Sequence, residues 1–276
     1  LMQHPEIFLP VIKEPCFFTF AGGKIDYKNG KFAFALTSID DYAKLFRKAL
    51  PSQITGDIST PYLYKYQKTI QNMKKFHDDF SSVKVIIILR NPVDRAYSQY
   101  LWKVRDGREE LSFEEAIEKE NSRMKENYSF DYFYVDRGLY FEQVKAYIDN
   151  FKSVKIVLFD DLKNDTMETL AGICEFLNVA PDFEFVKRTE QNASFLPKST
   201  LLNKLLTIES KTKFKMLNRI PESIRSSIKE QFMRFNSSGK KNPEMNPKTR
   251  EQLKAFYRDD LSKLQKLIGR DLSLWM

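Results

Sequence analysis

Residues 83–89 read VKVIIIL, and residues 90–100 continue as RNPVDRAYSQY. The first stretch is a short, β-branched and nearly unbroken apolar run, which is typical of a strand buried on both faces of a parallel sheet. Residues 154–159, VKIVLF, form a second run of this kind. Helical patterns fill the interval between the two runs. The order of strand, helices and strand predicts an α/β fold with a central parallel sheet flanked by helices.

Helix signals surround the two strands. Proline at a first helical position, as at Pro61 and Pro92, and a Ser112 cap followed by Glu115 are typical helix starts. Most of the chain after residue 187 also has a helical pattern, so we predict a helix-rich C-terminal part within one domain of residues 1–276. Helices are predicted over residues 38–50, 61–76, 140–150, 166–177 and 247–267, and from residues 92 and 112 onward.

The charge of the chain is unevenly distributed. There are 45 Lys and Arg against 37 Asp and Glu, a net charge of +8 that could indicate a nucleic-acid partner. From residue 187 to the end, however, 20 basic residues face 9 acidic ones, so the basic excess is regional. It indicates either solvated helix faces or a face that attracts an anionic nucleotide or acceptor. We therefore expect no nucleic-acid partner.

The two cysteines, Cys16 and Cys174, are far apart, and the chain has only 2 histidines. Neither a disulfide framework nor a metal site is indicated. No apolar stretch approaches the roughly 18 residues that cross a bilayer, and no signal peptide opens the chain. The sequence predicts a cytoplasmic protein without metal or membrane contact.

The segment that follows the first strand carries the clearest chemical signal. Arg90 lies at the end of the strand, where open α/β sheets bind their ligands. Asn91 and Pro92 suit a helix start, whose N–H groups favour an anion. Arg95 and Ser98 are three residues apart on one helical face, so both could reach a phosphate held by Arg90. Alternatively, Arg90 pairs with a structural carboxylate and Ser98 is ordinary helix surface.

This segment, R-N-P-x-x-R-x-x-S-x-Y after a buried strand, resembles the 3′-phosphate motif of sulfotransferases that use 3′-phosphoadenosine 5′-phosphosulfate (PAPS). The similarity is to the branch of bacterial enzymes and heparan-sulfate sulfotransferases. It extends over nearly the whole chain through an ordered set of landmarks. These are QHPEIF (3–8), KEPCFF (13–18), GDISTPYLY (56–64), RGLYFEQV (137–144), LFDDL (158–162) and the C-terminal segment 246–275.

The resemblance implies a sulfotransferase fold related to P-loop nucleotide hydrolases and assigns roles to matching residues. Arg90 and Ser98 correspond to the pair that holds the 3′-phosphate. Glu14 matches the general base that acts on the acceptor hydroxyl in the heparan-sulfate branch, whereas without the family it would be read as a surface ion pair. Those enzymes carry a lysine near the position of Ser59, and Lys13 is the candidate replacement at the substrate.

Two loops complete the comparison with the family. Asn192, Ser194 and Lys198 resemble a late loop that closes over the nucleotide, although they also fit an ordinary polar loop. The family's phosphosulfate loop, Lys-x-Gly-Thr-Thr or similar, has no match, and we interpret Gly22-Gly23-Lys24 as a turn. Two strong strands are few for such a sheet, so we expect the first strand and this loop to be absent from the chain. A chain that starts at Leu1 is then expected to fold without turning over.

The sequence therefore predicts transfer of a sulfuryl group from PAPS to an acceptor hydroxyl, with a glycan or natural-product acceptor favoured by the resemblance. A kinase is disfavoured because the chain has no G-x-x-x-x-G-K-[ST] loop. The remaining alternative is a binding module that has kept the sulfotransferase fold without catalysis.

Overall fold

The sheet layer consists of two pairs of parallel strands. The computed structural model describes residues 1–29, 32–186 and 243–276. Strands β1 (Ile7–Phe8) and β2 (Ile54–Thr55) form one pair. Strands β3 (Lys84–Leu89) and β4 (Ser153–Leu158) form the other, in register over their whole length. The parallel strands and the helices between them confirm the predicted α/β class.

Helices make up most of the rest of the described chain. The capping box predicted at Ser112 and Glu115 is present, with both reciprocal hydrogen bonds. None of the described helices combines the length and the apolar character that crossing a membrane requires. The helices are α1 (Phe17–Phe20), α2 (Ile39–Lys44), α3 (Pro61–Tyr64), α4 (Tyr66–Phe76), α5 (Pro92–Arg105), α6 (Phe113–Glu118), α7 (Glu120–Lys125), α8 (Tyr140–Asn150), α9 (Phe159–Asn164), α10 (Thr166–Leu177) and α11 (Pro247–Ile268).

Two helices differ from the sequence prediction. Helix α2 ends at Lys44, before the predicted stop at Pro51, because the chain continues in three-residue turns such as the bond from the N–H of Leu45 to the carbonyl of Tyr42. The helix predicted over residues 61–76 is divided into α3 and α4 at Lys65, whose φ of −92° and ψ of 37° are not helical.

The strands are covered by apolar residues on both faces. Ile87 and Leu89 of β3 belong to the main core cluster together with Tyr257 and Leu261 of α11. The alternate face contributes to a second cluster, which contains Ile7 of β1, Val157 of β4 and Ile173 of α10. Burying a side chain of this size contributes about 1.5 to 3 kcal/mol, so the two clusters together fix the sheet between its helices.

One position of β3 differs from the predicted burial. The run of residues 83–89 was expected to be buried on both faces, but Ile88 is 50% exposed. It lies opposite Val157 of β4, which is itself buried. The described helices therefore leave the sheet uncovered at Ile88, close to the end where β3 leads into α5.

Candidate active site

The first part of the site lies where the chain leaves β1 and β2. Because these strands are parallel, the segments that follow them emerge at the same edge of the sheet. The N–H of Gly56 donates to the carbonyl of Phe8 at 3.0 Å, and a Cβ atom at Gly56 would lie 2.9 Å from the side chain of Leu9. Glycine at position 56 thus lets segments 9–18 and 56–64 run side by side.

The side chain of Glu14 connects these two segments. Its Oε2 atom accepts a hydrogen bond of 3.0 Å from the hydroxyl of Thr60, and Glu14 itself is partly exposed. Lys13 is exposed, and among the described residues it forms no ion pair with Glu14. The carboxylate is therefore accessible and held by a neutral hydroxyl.

The backbone at Glu14 is strained. Glu14 has a φ of 52° and Cys16 a φ of 54°, so two non-glycine residues on either side of Pro15 adopt the left-handed conformation. Such a conformation costs on the order of 1 to 3 kcal/mol per residue and persists only where the surroundings enforce it. Residues of this kind cluster at functional sites, so the strain is an observation that singles out this turn.

Hydrogen bonds from the segment after β2 enforce the turn. The N–H of Cys16 donates to the hydroxyl of Ser59 at 3.0 Å, and Ser59 donates in turn to Oδ1 of Asp57 at 2.8 Å. The N–H of Phe18 donates to the hydroxyl of Tyr62 at 3.3 Å. Tyr62 donates to the second oxygen of Asp57. One carboxylate therefore supports two backbone N–H groups through two hydroxyls.

The surroundings of Asp57 disfavour the charged form of its carboxyl group. Burial raises the pKa of Asp57, and the hydrogen bonds from Tyr62 and Ser59 oppose this rise without cancelling it. The sequence did not identify Asp57, because an aspartate that precedes a turn is common in loops. The signal that could have found it is its place in the landmark GDISTPYLY, next to the serine that holds Cys16.

The second part of the site lies at the end of β3. Arg90 follows the last strand residue, and its guanidinium carbon lies 5.3 Å from the centre of the Phe159 ring at the start of α9. Its carbonyl accepts a hydrogen bond of 3.0 Å from the hydroxyl of Tyr140. Among the described residues no carboxylate pairs with the guanidinium, so the structural ion pair considered as an alternative does not occur there.

Helix α5 begins directly after Arg90. Asn91 caps the helix as predicted, since its side chain accepts a hydrogen bond of 3.0 Å from the N–H of Val93. One N–H of the first turn is thus already satisfied, which weakens the expected anion site at the helix terminus. Ser98 is partly buried, and its hydroxyl has no hydrogen-bond partner within the described parts of the chain.

Arg95 is engaged with the protein itself. Its two Nη atoms donate to Gln99, at 2.7 Å, and to the carbonyl of Tyr134. Its Nε atom is buried and has no hydrogen-bond partner among the residues that the structure describes. The helical spacing predicted that Arg95 joins Arg90 and Ser98 at one phosphate, and both of its Nη atoms already donate to protein acceptors. Contact between Arg95 and a cofactor stays a prediction.

Two further cations were not identified from the sequence. The guanidinium carbon of Arg137 lies 5.8 Å from the Tyr64 ring and 5.7 Å from the Phe130 ring. The ammonium of Lys65 lies 5.0 Å and 5.1 Å from the same two rings. Burial lowers the pKa of Arg137, and the charge of Arg95 lowers it further. The two cations therefore lie against the same pair of rings, with the carboxylates of Asp131 and Asp136 nearby. The Arg-Gly pair before buried Tyr140 was the sequence signal of Arg137.

The other predicted residues are less informative. Asn192, Ser194 and Lys198 lie outside the described residues. Gly22 has a φ of 67° and the N–H of Gly23 donates to the carbonyl of Phe20 at 3.0 Å, which confirms the predicted turn. The described residues contain no group of three side chains arranged to hold a metal ion.

Comparison with known proteins identifies the family to which the chain is similar. The model of a protein family described as the sulfotransferase domain matches residues 64–267. The crystal structure of a sulfotransferase from Alicyclobacillus acidocaldarius is similar over 99% of this chain and 90% of that chain, with 32% sequence identity and a TM-score of 0.72. A search of curated proteins found no match.

The chain therefore belongs to the sulfotransferase family. The matched family segment includes Arg90, Arg95 and Ser98 and begins after Glu14 and Asp57. The segment around Arg90 thus lies within the family match, whereas the segment around Glu14 lies only within the longer structural similarity.

Proposed function

We propose that the protein transfers a sulfuryl group from PAPS to an acceptor hydroxyl. The observation that carries this proposal is the guanidinium of Arg90, which lies at the carboxyl end of β3 without a carboxylate partner among the described residues. A partly buried arginine of this kind is suited to a phosphate, because charge-assisted hydrogen bonds to phosphate are strong and geometrically specific. Membership of the sulfotransferase family supports the proposal that this phosphate belongs to a sulfuryl donor.

Arg90 and Ser98 are proposed to hold the 3′-phosphate of the donor. The hydroxyl of Ser98, which has no partner in the described part of the chain, lies on α5, and this helix starts directly after Arg90. Burial raises the pKa of Tyr140, whereas the nearby positive charges of Arg95, Arg137 and Arg90 oppose this rise, so all three charges act near one hydroxyl. Electrostatic attraction toward this region favours an anionic nucleotide. The resemblance adds Asn192, Ser194 and Lys198 as a loop over the nucleotide.

Glu14 is proposed as the general base. The acceptor oxygen attacks sulfur and forms a new S–O bond while the bond from sulfur to the 5′-phosphate oxygen breaks. The acceptor proton moves to Glu14, and 3′-phosphoadenosine 5′-phosphate (PAP) leaves with the electron pair of the broken bond. A base needs hydrogen-bond reach to the proton, and Oε1 of Glu14 is available because Thr60 contacts only Oε2. No residue is assigned to the 5′-phosphosulfate.

The acceptor is proposed to be a hydroxyl of a glycan or a natural product. Lys13 precedes Glu14 and is exposed, and its ammonium has no partner within residues 1–29, 32–186 and 243–276, so it is available to contact an acceptor. This contact would replace the lysine that the heparan-sulfate enzymes carry in their middle motif.

The proposal is tested with the protein at the full length that its gene encodes. Radiolabelled PAPS is incubated with a panel of acceptors, including O-desulfated heparin and simple phenols, and the transferred label is measured. Binding of PAP is measured separately by calorimetry. Transfer to any member of the panel supports the proposed function. Binding of PAP without transfer to any member supports the non-catalytic module instead, and absence of PAP binding overturns both.

A further inference from the structure

Asp57 forms a hydrogen-bond network that ends at the turn carrying Glu14. A carboxylate accepts hydrogen bonds and cannot donate them. The hydroxyls of Ser59 and Tyr62 must therefore direct their protons toward Asp57, which leaves their lone pairs for the N–H groups of Cys16 and Phe18. When Asp57 is ionised, its carboxylate therefore sets the direction of these four hydrogen bonds.

The turn depends on this network. Cys16 is held by Ser59 at 3.0 Å and adopts the left-handed conformation together with Glu14 two residues earlier. An isolated peptide would avoid this arrangement, since each such residue costs on the order of 1 to 2 kcal/mol. Thr60 holds the other end of the same turn through the carboxylate of Glu14. The segment 57–60 thus determines both the backbone and the side-chain direction of Glu14.

We propose that Asp57 is a positioning residue that directs the carboxylate of Glu14 toward the acceptor, acting through Ser59. This inference rests on the proposed role of Glu14 as the general base. Asp57 is partly buried, and its two carboxylate oxygens accept hydrogen bonds from Ser59 and Tyr62, so it is proposed to act without contacting the acceptor. A small displacement of a catalytic group is costly, because misplacement by about 1 Å can reduce a rate about a hundredfold.

The decisive variant is Ser59→Ala, which removes the bridge and leaves Asp57 and Glu14 unchanged. We expect kcat for the best acceptor of the panel to fall between about tenfold and a hundredfold, while affinity for PAP stays constant. Ser59→Thr keeps the hydroxyl and is expected to restore most of kcat. Ser81→Ala is a matched control, because Ser81 donates to Asp79 at 2.7 Å in the same two-residue spacing at an exposed site far from Glu14 in the sequence.

A double-mutant cycle distinguishes positioning from general destabilisation. If Ser59 acts through Glu14, Ser59→Ala in a Glu14→Gln background reduces kcat by less than about twofold further. A full additional loss in that background would overturn the inference, as would an unchanged kcat in the single variant. Asp57→Asn is expected to behave like Ser59→Ala, because its amide nitrogen donates where the carboxylate only accepted.

A measurement without turnover separates this inference from the proposed function. Hydrogen exchange of the Cys16 amide is expected to become at least about tenfold faster in Ser59→Ala, since the amide loses the one acceptor that it has among the described residues. Unchanged exchange would show that the bridge does not hold the turn. If exchange accelerates but Glu14→Gln retains its kcat, the turn is held as described and the proposed base is the part that fails.

Discussion

The hydroxyl of Thr60 donates to the carboxylate of Glu14 at 3.0 Å and makes no side-chain cap on helix α3, which starts one residue later. A threonine at this position commonly caps the helix, and such a cap contributes about 1 kcal/mol. The helix start gives up that contribution, and Thr60 holds a partly exposed carboxylate in its place. Glu14 is therefore positioned by the fold and is not a freely moving surface side chain.

Glu14→Gln tests the base directly. Glutamine keeps the shape and can still accept the hydrogen bond from Thr60, but it cannot take up the acceptor proton. We expect kcat to fall by about 10² to 10⁴-fold while the affinity for PAP stays nearly constant. Single-turnover rates provide the measurement.

Lys13→Ala is the control on the neighbouring residue, and it is expected to raise KM for the acceptor and leave the chemical step intact. A Glu14→Gln protein within threefold of the parent would exclude Glu14 as the base.

Arg90→Ala is expected to weaken PAP binding by about 2 to 5 kcal/mol, because it removes a charged partner from a desolvated phosphate. This is at least a tenfold change in Kd, which calorimetry resolves. Arg90→Lys keeps the charge but lacks the planar guanidinium, so its affinity for PAP should lie between those of the parent protein and Arg90→Ala. Lys24→Ala, at an exposed cation paired with Asp26 at 3.8 Å, is expected to have no effect. Unchanged affinity in Arg90→Ala would remove Arg90 from the site.

Ser98→Ala should have a smaller effect than the arginine variant. A single neutral hydrogen bond contributes about 1 kcal/mol, so we expect the Kd for PAP to rise by about fivefold. The midpoint temperature of thermal unfolding is expected to stay the same, since the Ser98 hydroxyl has no partner within the described residues. A loss of stability with unchanged Kd would indicate that Ser98 is structural.

The buried pair of Arg123 and Glu109 is expected to matter more for folding than the exposed pair of Lys28 and Glu126. Arg123 makes two hydrogen bonds to Glu109, at 2.7 Å and 2.9 Å. Arg123→Met leaves the Glu109 charge buried, at a cost of about 3 to 5 kcal/mol. Lys28→Met removes a contact of 2.6 Å at the surface, where solvent screens the charges, and should cost much less stability. Denaturant unfolding of both variants measures the difference, and equal losses would contradict the expectation.

The same pair predicts the response to acid. Burial alone would raise the pKa of Glu109, but the hydrogen bonds from Arg123 and Tyr134 outweigh it, so this pKa is lowered from 4.5. A lowered carboxyl pKa contributes stability above the unfolded value and loses it as the pH falls through the folded value. We therefore expect unfolding free energy to decline below about pH 4.5 and to decline less in an Arg123→Met protein.

The sequence predicted those parts of the structure that depend on local patterns. The apolar runs of β3 and β4, the cap at Asn91 and the capping box at Ser112 each follow from residues within a few positions of one another. Strands β1 and β2 were missed because two residues are too few for an alternating pattern.

The candidate site was predicted less completely, because its contacts join distant segments. Glu14 and Arg90 were identified through family resemblance and spacing. The support of Glu14 by Asp57 and Ser59 spans more than forty residues of sequence, so no local pattern reveals it. The spacing of Arg95 and Ser98 was correct for a helix, but it could not show that Tyr134 supplies an acceptor for Arg95.

Because Glu14 adopts the left-handed conformation, backbone stability and the proposed catalysis favour different residues at position 14. Glycine at position 14 would relieve the strain, because it adopts a φ of 52° at no steric cost. It would also remove the carboxylate. Selection for heat resistance and selection for turnover consequently act in opposite directions at this residue, so that a more durable protein is reached most directly by giving up the proposed catalysis.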